Sequence, residues 1–121
     1  MSKADGTMAI REIIVPVKTI SLLNVREHWA KRAKRSKEHR EVSYLMLRSE
    51  IGAERPKMPL AVKLTRLSPR QLDDDNLRGA LKAVRDGVAD YFGVDDRHPG
   101  IEWLYGQEKG PYGVKIEIAC R

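Results

Sequence analysis

The chain has 121 residues, 41% of them hydrophobic, which implies one compact domain with a core of modest size. Lys and Arg number 23 against 17 Asp and Glu, a net charge of +6 that favours an anionic partner such as nucleic acid. No apolar run approaches the ~20 residues needed to cross a bilayer, and no membrane partner is expected. The single cysteine, Cys120, excludes an intrachain disulfide and suits a reducing compartment. The stretch from Met1 to Met8 is polar and lacks the hydrophobic region of a signal peptide, so a soluble, cytoplasmic protein is expected.

Residues 1–9 read as a disordered tail, and residues 10–121 as the domain. Ile10 to Thr19 carries the β-branched run Ile13, Ile14, Val15 and Val17, a strand in which Pro16 signals an edge or a bulge. Ser21 to Asn24 reads as a turn, with Asn24 as the cap of a long helix from Val25 to about Ile51. That helix is basic in its first half and amphipathic in its second, through Val42, Leu45, Met46 and Ile51. Gly52 and Pro56 end it. Leu60 to Arg66 alternates apolar with polar or small residues, the pattern of a half-buried strand.

A second helix is expected from about Asp75 to Phe92, stopped by Gly93. At 100° per residue, Leu77, Ala80, Leu81, Val84, Val88 and Tyr91 share one side, and Asp75, Arg78, Lys82 and Asp86 the other. Ile101 to Gly106 and Val114 to Ile118 read as two further strands joined by a turn over Lys109 to Gly113. The expected fold is therefore a small mixed α/β (α+β) domain in the order β-α-β-α-β-β, with helices packed on a mixed sheet.

The feature that carries chemistry is Leu72-Asp73-Asp74-Asp75-Asn76-Leu77, followed by Lys82 and then Asp95-Asp96. Clustered carboxylates repel one another without a cation between them. Carboxylate oxygens are the preferred ligands of Mg²⁺, which takes only one or two of them and keeps several waters. A bound metal activates water and neutralises charge in phosphodiester hydrolysis. Convergence of Asp96 on the Asp73–Asp75 segment is expected if the strands flanking the second helix are neighbours. Each feature also has an ordinary counterpart. An Asp-rich segment ahead of a helix caps it, Asp95-Asp96 and His98 suit a solvated loop, Lys82 with Asp86 suits an i,i+4 surface pair, and Trp29 and Trp103 suit packing anchors. In the first helix, seven cations between Arg26 and Arg40 meet only Glu27 and Glu38. Arg26, Lys31, Arg32, Lys34 and Arg35 are the leading candidates to contact a DNA backbone.

Together the Asp-rich segment, the helix carrying Lys82 and the Asp95-Asp96 pair resemble the RusA family of Holliday junction resolvases. Ser21-Leu22-Leu23-Asn24-Val25-Arg26 is similar to that family's N-terminal turn leading to an arginine, and Gly106 to Gly110 suits its closing hairpin. The resemblance spans roughly Ile13 to Ile118. It implies a homodimeric, Mg²⁺-dependent endodeoxyribonuclease acting on branched DNA, the four-way junction, with Mn²⁺ as an alternative ion. The family pattern is Asp-x-Asp-Asn and then an acidic pair whose second member is catalytic, which implies Asp73, Asp75 and Asp96 as metal ligands and catalytic residues. Asp74 falls at the variable position, and Asp95 stands behind Asp96 or in solvent. The best-known members carry a functional lysine four residues after the Asp of the Asp-Asn step, where this chain has Gly79. Lys82, ~10.5 Å along the helix axis from Asp75, is taken over Arg78 as the replacement cation. Two alternatives stand beside this expectation: a non-catalytic basic nucleic-acid-binding protein, and a fork or flap nuclease of the same fold.

Overall fold

Alternation of side chains across a strand decides how this chain folds. In Leu60-Ala61-Val62-Lys63-Leu64 the three larger apolar residues point one way, and all three are buried. The same alternation buries Ile13 and Val15 near the N-terminus and Val114, Ile116 and Ile118 near the C-terminus. The structure, a computed structural model, describes residues 9–20 and 28–121. Residues 1–8 of the expected tail, the expected turn at Ser21 to Asn24 and Arg26 lie outside the described residues.

The elements follow the expected order: β1 (Ala9–Val15), α1 (Trp29–Glu50), β2 (Leu60–Ser68), α2 (Asp74–Phe92), β3 (Ile101–Lys109) and β4 (Gly113–Cys120). The strands form one mixed sheet in the order β1-β4-β2-β3. β1 with β4 and β4 with β2 are antiparallel, whereas β2 and β3 are parallel. A parallel pair needs a crossover connection, which α2 supplies. β1 is an edge strand, ends one residue before Pro16 and has a register shift between Ala9 and Arg11. The domain is thus a mixed α+β fold. No helix among the described residues is long and apolar enough to cross a membrane.

α2 behaves as its periodicity demands. Leu77, Ala80, Leu81, Val84, Val88 and Tyr91 are all buried, most of them in one cluster with the inner face of the sheet. Gly93 ends the helix at φ +71°, a left-handed conformation that costs glycine little.

Val42, Met46 and Ile51 of the expected apolar face pack against the core, and α1 departs from expectation at its start and at Leu45. It begins at Trp29, not Val25, because His28 has extended dihedrals and its Nδ1 accepts the Ala30 N–H at 3.2 Å. Asn24, the expected cap, lies outside the described residues. Trp29 is 74% exposed and does not anchor the core. Leu45, expected on the apolar face, is 60% exposed. The buried positions of α1 are His39, Ser43 and Leu47. The reason lies in α2: a Cβ built on Gly87 would stand 2.3 Å from the Arg40 carbonyl oxygen and 2.8 Å from Ser43 Cβ. The two helices cross where neither can present a large side chain, so α1 offers small Ser43 there. Its hydroxyl is satisfied by donating to the His39 carbonyl at 2.7 Å.

Candidate functional site

The segment that presents the three aspartates is pinned from beneath. Gln107 on β3 clamps the Leu72 backbone, accepting its N–H at 2.8 Å and donating to its carbonyl at 2.6 Å. Arg66 on β2, only 5% exposed, donates Nη1 to the Arg70 carbonyl at 2.7 Å and Nε to Thr19 Oγ1 at 2.8 Å. Burial pulls the Arg66 guanidinium below its ordinary pKa. Both residues lie on the inward register of their strands, which Leu60, Val62 and Leu64 fill in β2 and Ile101 in β3. A polar residue at such a position is the sequence signal that could have identified them.

Asp73 caps α2: one carboxylate oxygen accepts the Asn76 backbone N–H at 2.9 Å and the Asn76 side-chain amide at 2.8 Å. Asp74 and Asp75 follow in the first turn, exposed, where the partial positive charge of the helix end favours them. Asp75 makes no ion pair among the described residues. Arg78 lies over the Tyr105 ring, 5.5 Å from its centroid.

Two to three turns further along α2 lies a second group of charges. Lys82 Nζ is 2.6 Å from Asp86 Oδ1 and 3.0 Å from Asp96 Oδ2. Arg85 Nε lies 3.0 Å from the same Asp96 oxygen. The Asp96 main-chain carbonyl accepts from Arg85 Nη2 at 2.9 Å and from Trp103 Nε1 at 2.8 Å. Arg85 also stacks over Trp103, 4.7 Å from its centroid, and donates to the Tyr105 hydroxyl at 2.6 Å. The Lys82 hydrogen bond outweighs burial and holds the Asp96 carboxyl below the usual carboxylate range. Burial alone would lower Lys82, but its bonds to Asp86 and Asp96 prevail and raise it. Asp95 is exposed and closes a turn through the Arg97 N–H at 2.8 Å, and His98 does the same for Gly100 at 2.9 Å.

The structure therefore brings Lys82 and Asp96 together, and both are residues that the sequence pattern singles out. It does not gather Asp73, Asp75 and Asp96: among the described residues no three His, Cys, Asp or Glu side chains stand close enough to hold one metal ion. The flanking strands are neighbours as expected, but they are parallel, so α2 runs back along the sheet. The loop after α2 returns only as far as Lys82 and Arg85, and Asp75 starts ~10.5 Å beyond Lys82 along the axis. As a donor set, Asp73 and Asp75 still suit a hydrated Mg²⁺, which needs no more than two protein carboxylates. Asp96 is engaged by Lys82 and Arg85 through its Oδ2 atom. The sequence reading did not single out Arg85, which holds Asp96 by both its carboxylate and its carbonyl.

Of the candidate backbone-contacting cations, Lys31 and Lys34 are exposed on α1, and Arg32 and Arg35 are half-buried. Arg40 is engaged elsewhere, its guanidinium bidentate on Asp90 at 2.6 and 2.8 Å.

No family model matches this chain. It is similar to an uncharacterized protein of Xylella fastidiosa (strain Temecula1), 37% identical over 92 residues, which covers 65% of this chain and 58% of that protein. The chain thus matches less than two thirds of the length of this curated relative.

Proposed function

We propose that this chain is a Mg²⁺-dependent, structure-selective endodeoxyribonuclease that resolves four-way DNA junctions by paired phosphodiester hydrolysis. The observation that supports it most is the 3.0 Å contact between Lys82 and Asp96, residues 14 positions apart on a helix and in the loop after it. Asp73 and Asp75 open the same helix, and cationic α1 packs beside it.

Asp73 and Asp75 would hold the ion, Mg²⁺ or alternatively Mn²⁺. When bound, it makes a water nucleophilic near neutral pH and offsets charge on the phosphorus oxygens. Water attacks the phosphorus in line with the leaving 3′ oxygen, and the ends are 5′-phosphate and 3′-hydroxyl. Lys82 stabilises the developing negative charge, with Asp96 fixing its ammonium. Arg26, Lys31, Arg32, Lys34 and Arg35 position the backbone without reading sequence. Two such sites in a C2 homodimer would nick opposed strands of a junction whose own symmetry is approximately twofold. The setting is cytoplasmic, in keeping with the free, exposed Cys120.

The test is nicking of a synthetic four-way junction with Mg²⁺, against EDTA and linear-duplex controls. Symmetric nicks that require the metal are expected. Preference for forks or flaps over junctions would shift the substrate within the same fold. One observation favours a second reading, a non-catalytic basic nucleic-acid-binding protein: Asp96 is held by two cations and Asp73 caps a helix. Tight junction binding with no metal-dependent nick would establish that reading instead.

A further inference from the structure

A pocket of about 280 Å³ opens between the first turns of α2 and the edge strand β3, lined by Asp74, Leu77, Arg78, Trp103, Leu104 and Tyr105. Its volume falls just below the roughly 300 Å³ at which pockets for drug-sized ligands begin, which suits one planar ring system. Leu104, 44% exposed, leaves part of the wall as open apolar surface.

The two aromatic rings are fixed from outside the pocket. Trp103 Nε1 donates to the Asp96 carbonyl at 2.8 Å, and the Tyr105 hydroxyl accepts from Arg85 Nη1 at 2.6 Å. Neither Asp96 nor Arg85 lines the pocket, so the polar ends of both rings are satisfied elsewhere. Arg85 lies over Trp103, and Arg78 over Tyr105 at 5.5 Å from its centroid. Asp74 has no task in the metal reading, where it falls at the variable position between Asp73 and Asp75. It is exposed, and neither it nor Arg78 makes an ion pair among the described residues, although they stand one helical turn apart.

Aromatic rings and a guanidinium plane are the surfaces on which unpaired bases stack. A carboxylate repels a phosphate but accepts from the amino groups of cytosine, adenine and guanine; thymine has none. The pocket therefore suits a base better than a backbone. We propose that it takes one unpaired DNA base, stacked on Tyr105, Trp103 and Arg78, with Asp74 accepting the exocyclic amino group. The inference rests on the nucleic-acid reading above, but not on cleavage. It gives a base preference to a protein whose α1 cations read no sequence, and it sets the chosen base beside Asp73 and Asp75.

The experiment is binding of fluorescent single strands by anisotropy in EDTA at constant ionic strength and neutral pH. The probes are oligo-dC, oligo-dT and an abasic strand of equal length. The wild-type chain should bind oligo-dC about tenfold tighter than oligo-dT, the difference expected of one hydrogen bond to a charged group. It should bind the abasic strand about tenfold more weakly than oligo-dT, for want of stacking. Asp74→Asn, whose amide can serve either base, should erase the preference for oligo-dC. Tyr105→Leu should weaken both base-bearing strands and leave the abasic strand unchanged. Asp74→Asn alters an exposed side chain, so it tests the pocket even if Tyr105→Leu fails to fold. Equal binding of all three strands by the wild type overturns the proposal and leaves the nuclease reading untouched. A preference for oligo-dC that survives Asp74→Asn overturns it as well. Base preference that behaves as described, in a protein that never cuts a junction, supports the pocket and removes the nuclease.

Discussion

Two glycines inside α2 should respond in opposite directions to the same substitution. Helix propensity alone makes Gly→Ala stabilising by roughly 0.8–1 kcal/mol at an interior position. At Gly79 the added methyl meets nothing within 4 Å, so that gain should appear nearly whole. At Gly87 the methyl would stand 2.3 Å from the Arg40 carbonyl oxygen, about 1.1 Å inside the 3.4 Å at which ordinary contact begins (3.4 − 2.3). The obstructing atom is backbone, so no rotamer change relieves it and α1 must move. Overpacking of this kind costs about 1–3 kcal/mol or more. Set against the propensity gain, Gly87→Ala should destabilise by up to ~2 kcal/mol while Gly79→Ala stabilises by up to ~1 kcal/mol. Urea denaturation followed by far-UV circular dichroism reads both, through shifts in midpoint at constant slope. Equal shifts of the same sign would refute the helix crossing as described.

Other consequences can be measured on the same protein. Gln107→Leu strips partners from both the N–H and the C=O of Leu72, which should cost ~1–3 kcal/mol and slow any nuclease activity by loosening the segment that presents Asp73 to Asp75. A double-mutant cycle on Lys82 and Asp96 should return no more than ~1 kcal/mol at pH 7, because Lys82 is 55% exposed and screened by solvent. The Asp96 carboxyl is depressed in the folded state, so its contribution is complete above the unfolded value of ~3.9 and vanishes as pH falls through the lower folded value. The Asp96→Asn penalty should therefore shrink as pH falls below the unfolded value of ~3.9; a penalty unchanged by that acidification would contradict the ion pair. Neutralising the exposed pair Lys31 and Lys34 to Gln should flatten the log–log salt slope of duplex binding by up to ~1.8, at 0.9 per phosphate. An unaltered slope would move the DNA surface off α1.

The fold was legible where one physical requirement dominated each residue. In α2, six apolar residues at helical spacing and a glycine at its end leave little choice, and all six are buried. In α1 two requirements compete. Its inner face must meet Gly87 at close range, so the buried positions carry His39 and Ser43 while Leu45 turns to solvent. No apolar periodicity can report that. At the candidate site, the residue types that suit phosphate chemistry were recognisable, and the spacing placed Lys82 on the polar side of α2. The partner that each charge takes was not recognisable. Asp96 pairs with Arg85 as well as Lys82, and Asp73 is drawn to Asn76, because these contacts depend on how far the loop after α2 returns along the helix. Arg66 and Gln107 were legible only through strand register, as polar residues on the inward parity of β2 and β3.

The account depends on Asp75 acting in metal-dependent strand cleavage. The direct measurement is single-turnover cutting of a four-way junction in Mg²⁺ by the wild-type chain and by Asp75→Asn, with junction binding measured alongside in EDTA. The predicted result is cleavage by the wild type, a loss of more than about 100-fold in the variant, and binding that is unchanged or tighter once a negative charge near phosphate is gone. Equal cleavage by both proteins, or none by either while both bind, would contradict it.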